Sequence, residues 1–184
     1  MSPEEFLKPL DILADDAVYR QAHFSQLIYP PGNKHKRFPK ASHFKPDEDG
    51  LSVNLCRLIT VNGVYHIIGL TYRINKEEFK DPANFKLFTI QTSIITAIDG
   101  VVSIIHSPVF KGNPAPIGSP NNYAHTSLIY PDDEEIRLKL SDYCQQDFMH
   151  SYCTVDFEII EKEVSALRER LDDTPYHRLP TKAD

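Results

Sequence analysis

The stretch 86–130 constrains the fold most, because it alternates long β-forming runs with strong turn signals. The run 86–98 is rich in β-branched and aromatic residues, which suit a pleated, partly buried surface. Asp99-Gly100 then precedes the apolar run 101–105, and an Asp-Gly pair between two apolar runs is a strong hairpin signal. We therefore predict a type I′ hairpin whose strands lie in the middle of the sheet, buried on both faces.

A loop follows this hairpin, because residues 111–122 are rich in proline, glycine and asparagine. The run 124–130 then resumes a strand, and Pro131 with the acidic residues after it predicts the start of a helix. Ile136 and Leu140, with Tyr143 or Cys144, give that helix an apolar stripe. Long loops inside compact domains are often functional, so we expect the site beside residues 111–122.

The rest of the chain adds further strands and helices. Ser2 and Glu5 have the spacing of a capping box, which predicts a short helix that ends near Pro9. The other predicted elements are a strand over 17–22, strands over 51–61 and 64–72 joined by an Asn62-Gly63 hairpin turn, a mostly β segment over 148–160 and a helix over 161–171.

In total, the sequence predicts about six or seven strands and three or four helices. Their order is neither alternating βαβ nor all-β, which predicts an α+β fold around a mostly antiparallel sheet. A chain of 184 residues suits one domain, which we place at residues 1–172. Residues 173–184 are predicted to be a frayed tail.

Composition is that of a soluble globular protein, with 41% hydrophobic and 25% charged residues. No apolar run approaches the roughly 20 residues that a membrane-spanning helix needs, and the first residues lack the apolar core of a signal peptide. The three cysteines have no metal-ligand spacing, so we expect free, reduced thiols. These features predict a cytoplasmic protein without a membrane partner.

The charge of the chain is unevenly distributed. The net charge of −6 argues against a general nucleic-acid coat. Residues 34–45 nevertheless form a local basic segment, which is either a solvated loop or a contact for a phosphate or nucleotide.

Six residues are the candidates for a functional site. The catalytic candidates are His125 and His106, since a histidine acts as acid or base near neutral pH, although the His125 ring could instead satisfy a loop carbonyl. The ligand-binding candidates are Arg20, His43, Ser52 and Asn121. Arg20 stands in a partly apolar setting and needs an anion, either a ligand phosphate or an internal carboxylate.

No motif identifies a cofactor, and two histidines without a third ligand at a set spacing do not predict a metal site. The order of short segments around the candidates resembles a family of small bacterial proteins for which we know no activity. That family carries Tyr-Arg, Ser-Ala-Phe, Leu-Ser-Val and Asn-Pro-Ala-His segments, and this chain has His43 and Tyr123 at two of those positions instead. The resemblance implies a bacterial source and a shared site over about 110 residues.

Two functions from different classes fit these features. The first is a metal-independent enzyme or binding protein whose Arg/His pocket takes a phosphate-containing ligand, either a nucleotide or a nucleic acid. The second is a non-enzymatic interaction module that binds a protein partner or a second copy of itself. Convergence of Arg20, His43, His106 and His125 in one cleft would favour the first function.

Overall fold

The structure is a computed structural model that describes residues 2–112, residue 115 and residues 118–170, with the backbone alone at 169 and 170. The predicted tail, 173–184, lies outside the described residues, as does part of the loop 111–122. The strands of the described part are β1 (Ala17–His23), β2 (Leu27–Ile28), β3 (Phe38–Pro39), β4 (Leu51–Leu55), β5 (Tyr72–Arg73), β6 (Glu78–Phe79), β7 (Phe85–Gln91), β8 (Ser103–His106), β9 (His125–Ile129) and β10 (Tyr152–Cys153).

Six of these strands form one antiparallel sheet in the order β10-β7-β1-β4-β9-β8. The strands β2 and β3, and likewise β5 and β6, form separate two-stranded pairs. The helices are α1 (Pro3–Phe6), α2 (Val61–Leu70), α3 (Thr92–Thr96), α4 (Glu134–Gln146), α5 (Phe148–Ser151) and α6 (Phe157–Arg170). The predicted α+β fold with a mostly antiparallel sheet is confirmed, and the three longest helices agree with the predicted three or four.

Local signals predicted several elements well. The Ser2 side chain accepts from the Glu5 backbone N–H and the Glu5 carboxylate accepts from the Ser2 N–H, so the capping box of α1 is present. The strands predicted over 17–22 and 124–130 are β1 and β9. The apolar stripe of α4 is also confirmed, because Ile136, Leu140 and Cys144 are buried.

The predicted hairpin at Asp99-Gly100 is wrong. Strand β7 ends at Gln91, which pairs with Ala17, the first residue of its neighbour β1, so the chain loses its ladder partner there and turns into α3. Gly100 has a φ of 90°, but Asp99 has no positive φ, so a type I′ turn does not form. Strand β8 therefore pairs with β9 at the edge of the sheet, rather than with β7 in its middle.

The predicted hairpin at Asn62-Gly63 is also wrong, because these two residues lie in the first turn of α2 and Thr60 caps that helix. The Thr60 hydroxyl accepts from the Gly63 N–H at 3.0 Å, which starts α2. Residues 64–70 then continue as a buried helix. In the sequence, a short apolar run such as this one is equally compatible with a helix and with a strand. Gly69 lies so close to α6 that an added Cβ would come within 2.7 Å of the Val164 side chain.

The segment 148–160 is mostly helical, which corrects the β structure predicted for it. Only Tyr152 and Cys153 form a strand there, paired with Phe88 and Leu87 of β7. The segment on either side belongs to α5 and α6. A two-residue strand is too short to produce a sequence signal of its own.

The sheet has a core face and, at β4 and β9, a polar face. Val53 and Leu128 are buried in the core, whereas Ser52 and Ser127 point to the opposite side, because neighbouring residues of a strand alternate. The three cysteines are free thiols, as predicted. Among the described residues no helix is both long and apolar enough to cross a membrane.

Candidate functional site

Four of the six candidate residues are joined by hydrogen bonds, around the point where β1 and β4 separate. They are Arg20, His43, Ser52 and His125. The ladder between β1 and β4 is limited to Val18 with Leu55 and Tyr19 with Asn54, whereas β1 pairs with β7 along its whole length. Arg20 is thus the first residue of β1 beyond the place where its ladder with β4 stops.

Arg20 fills this opening with its guanidinium group. Its Nη1 donates to the carbonyl oxygen of Ser52 at 2.6 Å, and its Nη2 donates to that of His43 at 2.8 Å. The side chain therefore joins β1 to β4 and to the short turn 41–44. Burial lowers the pKa of Arg20 to about 10, although Tyr130 and Asp47 raise it.

The anion predicted for Arg20 is replaced by two backbone carbonyls. No carboxylate of the described residues lies within salt-bridge distance of the guanidinium. Its Nε is buried and has no hydrogen-bond partner among those residues. Because each terminal nitrogen already holds a carbonyl, Arg20 positions the backbone of Ser52.

His43 contributes its carbonyl to Arg20, while its ring is buried with 6% of the residue exposed. Neither ring nitrogen has a hydrogen-bond partner of normal geometry in the described part of the chain. Burial and the positive charge of Arg20 lower the pKa of His43 to about 3, outweighing the Gln21 backbone, which raises it. The ring is therefore neutral at physiological pH.

Ser52 and His125 meet on the polar face of the sheet. Register pairs Asn54 with His125 and Ser52 with Ser127, so these four side chains share one side. The imidazole of His125 reaches diagonally to Ser52, and its Nε2 lies 3.1 Å from the Ser52 hydroxyl oxygen. Ser52 is exposed, so a dissolved molecule can reach its hydroxyl.

The tautomer of His125 follows from its other contact. Its Nδ1 lies 2.7 Å from the carbonyl oxygen of Ser107, which only accepts, so Nδ1 carries the proton. The Nε2 lone pair is then free to accept from the Ser52 hydroxyl. Burial lowers the pKa of His125, although the Ser107 carbonyl and Asp47 raise it, so the ring is neutral at pH 7.

The other two candidates lie outside this group. The Nδ1 of His106 accepts from the Leu10 N–H at 3.0 Å and its Nε2 donates to the Tyr123 carbonyl at 2.6 Å, and the residue is 1% exposed. Asn121 accepts from the Lys111 N–H and donates to the Gly112 carbonyl. Both side chains thus stabilise the backbone beside the site.

Two residues of the site, Ser127 and Asp47, are not among those predicted from the sequence, whereas Ser107 belongs to the polar residues expected to cluster beside the loop 111–122. The Ser107 hydroxyl lies 3.0 Å from both His125 Nδ1 and the Ser127 hydroxyl. A period of two along β9 already places Ser127 on the face of His125. Because β8 pairs with β9, Ser107 just after β8 lies beside His125 at the start of β9.

Comparisons with known proteins add no assignment to this geometry. A scan of protein-family models and searches of curated proteins and of solved structures find no match to the chain. Within the part of the chain that the structure describes, no three His, Cys, Asp or Glu side chains are grouped as metal ligands. The chemistry of the site therefore rests on its hydrogen bonds and charges.

Replacing Arg20 by lysine should lower the free energy of unfolding by about 1–3 kcal/mol, because one ammonium cannot bridge both carbonyls and leaves one of these acceptors without its partner. Urea unfolding of the purified variant measures this loss. Arg73→Lys is the matched control, since the ion pair of Arg73 is with the exposed Glu78, and it should change stability by less than about 0.5 kcal/mol. Equal effects of both changes would contradict the bridging role.

His43 should make the protein less stable as the pH falls. The unfolded chain protonates this histidine below its ordinary pKa of 6.5 while the folded protein keeps it neutral until about 3, so stability is lost across that window. At about pH 5 the loss relative to pH 8 is about 2 kcal/mol. His43→Leu should remove this component in urea unfolding at both pH values, and an unchanged pH dependence would contradict it.

Proposed function

We propose that the protein is a metal-independent enzyme in which Ser52 is the nucleophile and His125 its general base. The observation that supports this is the line of contacts from the Ser52 hydroxyl to His125 Nε2 at 3.1 Å and from Nδ1 to the Ser107 carbonyl at 2.7 Å. A nucleophile, a base and a group that orients the base, all within hydrogen-bond reach, are the arrangement that activates a serine.

His125 is in the protonation state that a general base needs. Its lowered pKa keeps the imidazole neutral at pH 7, with the lone pair of Nε2 directed at Ser52. A carbonyl stabilises the imidazolium less than a carboxylate would, because it carries only a partial charge. The charge of Asp47, which raises the pKa of His125, supplies part of that stabilisation.

Acyl transfer is the reaction that this pair suits best. The Ser52 oxygen attacks the carbonyl carbon of an ester while its proton passes to His125 Nε2. The tetrahedral intermediate then releases the alcohol, which takes the proton from Nε2, and the acyl group stays on Ser52. Water, deprotonated by the same nitrogen, releases the acid and restores the serine.

Charge around the pair favours a neutral substrate over a phosphate. Asp47 is the carboxylate whose field acts on both Arg20 and His125, so it offsets the positive charge of Arg20 beside Ser52. The guanidinium of Arg20 already holds two carbonyls. The phosphate-containing ligand predicted from the sequence therefore suits the basic segment 34–45 better than this face.

A fluorophosphonate probe, which reacts with activated serines, should label the protein at Ser52. Ser52→Ala should abolish the labelling, and His125→Gln should slow it by about a hundredfold or more, since general base catalysis contributes at least that much. The rate should rise with pH and be half-maximal below about pH 6.5, because burial lowers the pKa of His125. Intact-mass and peptide mass spectrometry locate the label.

Ser25→Ala is the matched control for this experiment. Ser25 also contacts a histidine, with its hydroxyl 2.9 Å from His23 Nδ1, but that nitrogen accepts from the Ser25 N–H as well. Among the described residues no carbonyl holds the other nitrogen of His23, as Ser107 holds that of His125, so this variant should label at the normal rate. Labelling that survives in Ser52→Ala would show that the proposed nucleophile is wrong.

We propose the interaction module as a second candidate, through the outer edge of β8. No described strand pairs with this edge, and Val102 and Ile105 beside it are 73% and 46% exposed. Two copies of the chain could join their β8 strands antiparallel across a twofold axis, since such an edge is self-complementary. The predicted bacterial source and cytoplasmic location are compatible with either candidate.

Sedimentation or light scattering should then show a dimer that Ile105→Lys dissociates, because a lysine on an edge strand opposes pairing. Ile74→Lys is the control, since Ile74 is 81% exposed and lies outside the six-stranded sheet. A monomer at every concentration, or a dimer that Ile105→Lys leaves intact, would exclude this edge as the interface.

A further inference from the structure

A cavity of about 380 Å³ lies between the basic segment and the start of β7, away from the Ser52–His125 pair. Four basic residues, Lys34, His35, Arg37 and Lys86, line it together with aromatic rings. A second cavity of about 840 Å³ shares Tyr29, Lys34 and His35 with it. Both volumes are in the range of pockets that hold small molecules.

Aromatic rings position the cations of this pocket. The guanidinium carbon of Arg37 lies 4.6 Å from the centre of the Tyr29 ring, and Lys86 Nζ lies 5.7 Å from that of Tyr152. Contacts with ring faces orient a cation without neutralising it. The positive charges therefore stay available to an incoming anion.

No carboxylate of the described residues forms a salt bridge with Lys34, Arg37 or Lys86. Elsewhere the chain does pair cations, as in Arg57 with Asp16 and Lys139 with Glu135. Three unpaired cations around one cavity attract a multiply charged anion.

Tyr29 adds a surface for a flat ring. Its side chain is 45% exposed at the point where the two cavities meet, and Arg37 lies against its ring. Nucleobases stack on aromatic rings and on guanidinium planes, and every base can do so. A ligand that carries both a phosphate and a flat base therefore matches the cations of this pocket and the exposed ring of Tyr29.

We propose that this pocket binds a nucleotide, with Lys34, Arg37 and Lys86 at the phosphate and the base against Tyr29. The site is independent of the proposed Ser52–His125 enzyme, because it shares no residue with it. The nucleotide unit comes either from a free mononucleotide or from single-stranded RNA, and both present the same phosphate and base.

Calorimetry with AMP, ATP, adenosine and inorganic phosphate, and anisotropy with a labelled RNA of about eight nucleotides, test the proposal. AMP or ATP should bind more tightly than adenosine or phosphate alone. Lys34→Gln and Lys86→Gln should each weaken binding about tenfold, the loss of one charge-assisted contact. Tyr29→Ala should weaken binding while Tyr29→Phe, which keeps the ring, should not.

Lys162→Gln is the control for the charge, because Lys162 is exposed on α6 and lines neither cavity. RNA binding with the same variant pattern, without binding of free nucleotides, would identify RNA as the source. Absence of binding to all probes, or equal weakening by Lys162→Gln and Lys34→Gln, would overturn the proposal. Phosphate that binds as tightly as AMP would overturn the assignment of a base site.

Discussion

The guanidinium group of Arg20 holds together the part of the sheet on which the site depends. Where the ladder between β1 and β4 ends, this one side chain supplies hydrogen bonds to the Ser52 and His43 carbonyls. Removing a cation from water is costly, and the lowered pKa of Arg20 reflects that cost. It is offset because the two carbonyls would otherwise lack partners at the opening in the sheet.

The position of the proposed nucleophile follows from this contact. Arg20 holds the Ser52 backbone, and register with β9 then places the Ser52 side chain on the face of His125. The Ser107 carbonyl fixes the His125 tautomer from the other side. Three neighbouring strands, β4, β9 and the end of β8, therefore supply one group each, and rigid strands position such groups more accurately than loops do.

Sequence reasoning succeeded where local rules decide the outcome and failed where distant contacts do. The capping box of α1, the strand β1 and the apolar stripe of α4 follow from nearby residues. At Asn62-Gly63 a helix forms instead of the predicted hairpin, because Thr60 caps its first turn. At 99–100 no hairpin forms, because β1 begins at Ala17 and β7 therefore has no partner in β1 beyond Gln91. Of the four residues whose convergence was expected to favour an enzyme, His106 lies apart from the other three. The contact of Arg20 with carbonyls could not be foreseen, since it requires the separation of β1 from β4.

One segment connects the two proposed sites although they share no residue. Residues 34–37 contribute cations to the nucleotide pocket, and a few residues later the chain reaches His43, whose carbonyl is bound to Arg20. Strand β1 also serves both, because Ala22 pairs with Lys86 of the pocket while Arg20 spans the opening to β4. The two sites therefore rest on the same strand and on neighbouring parts of one segment, although each has its own side chains.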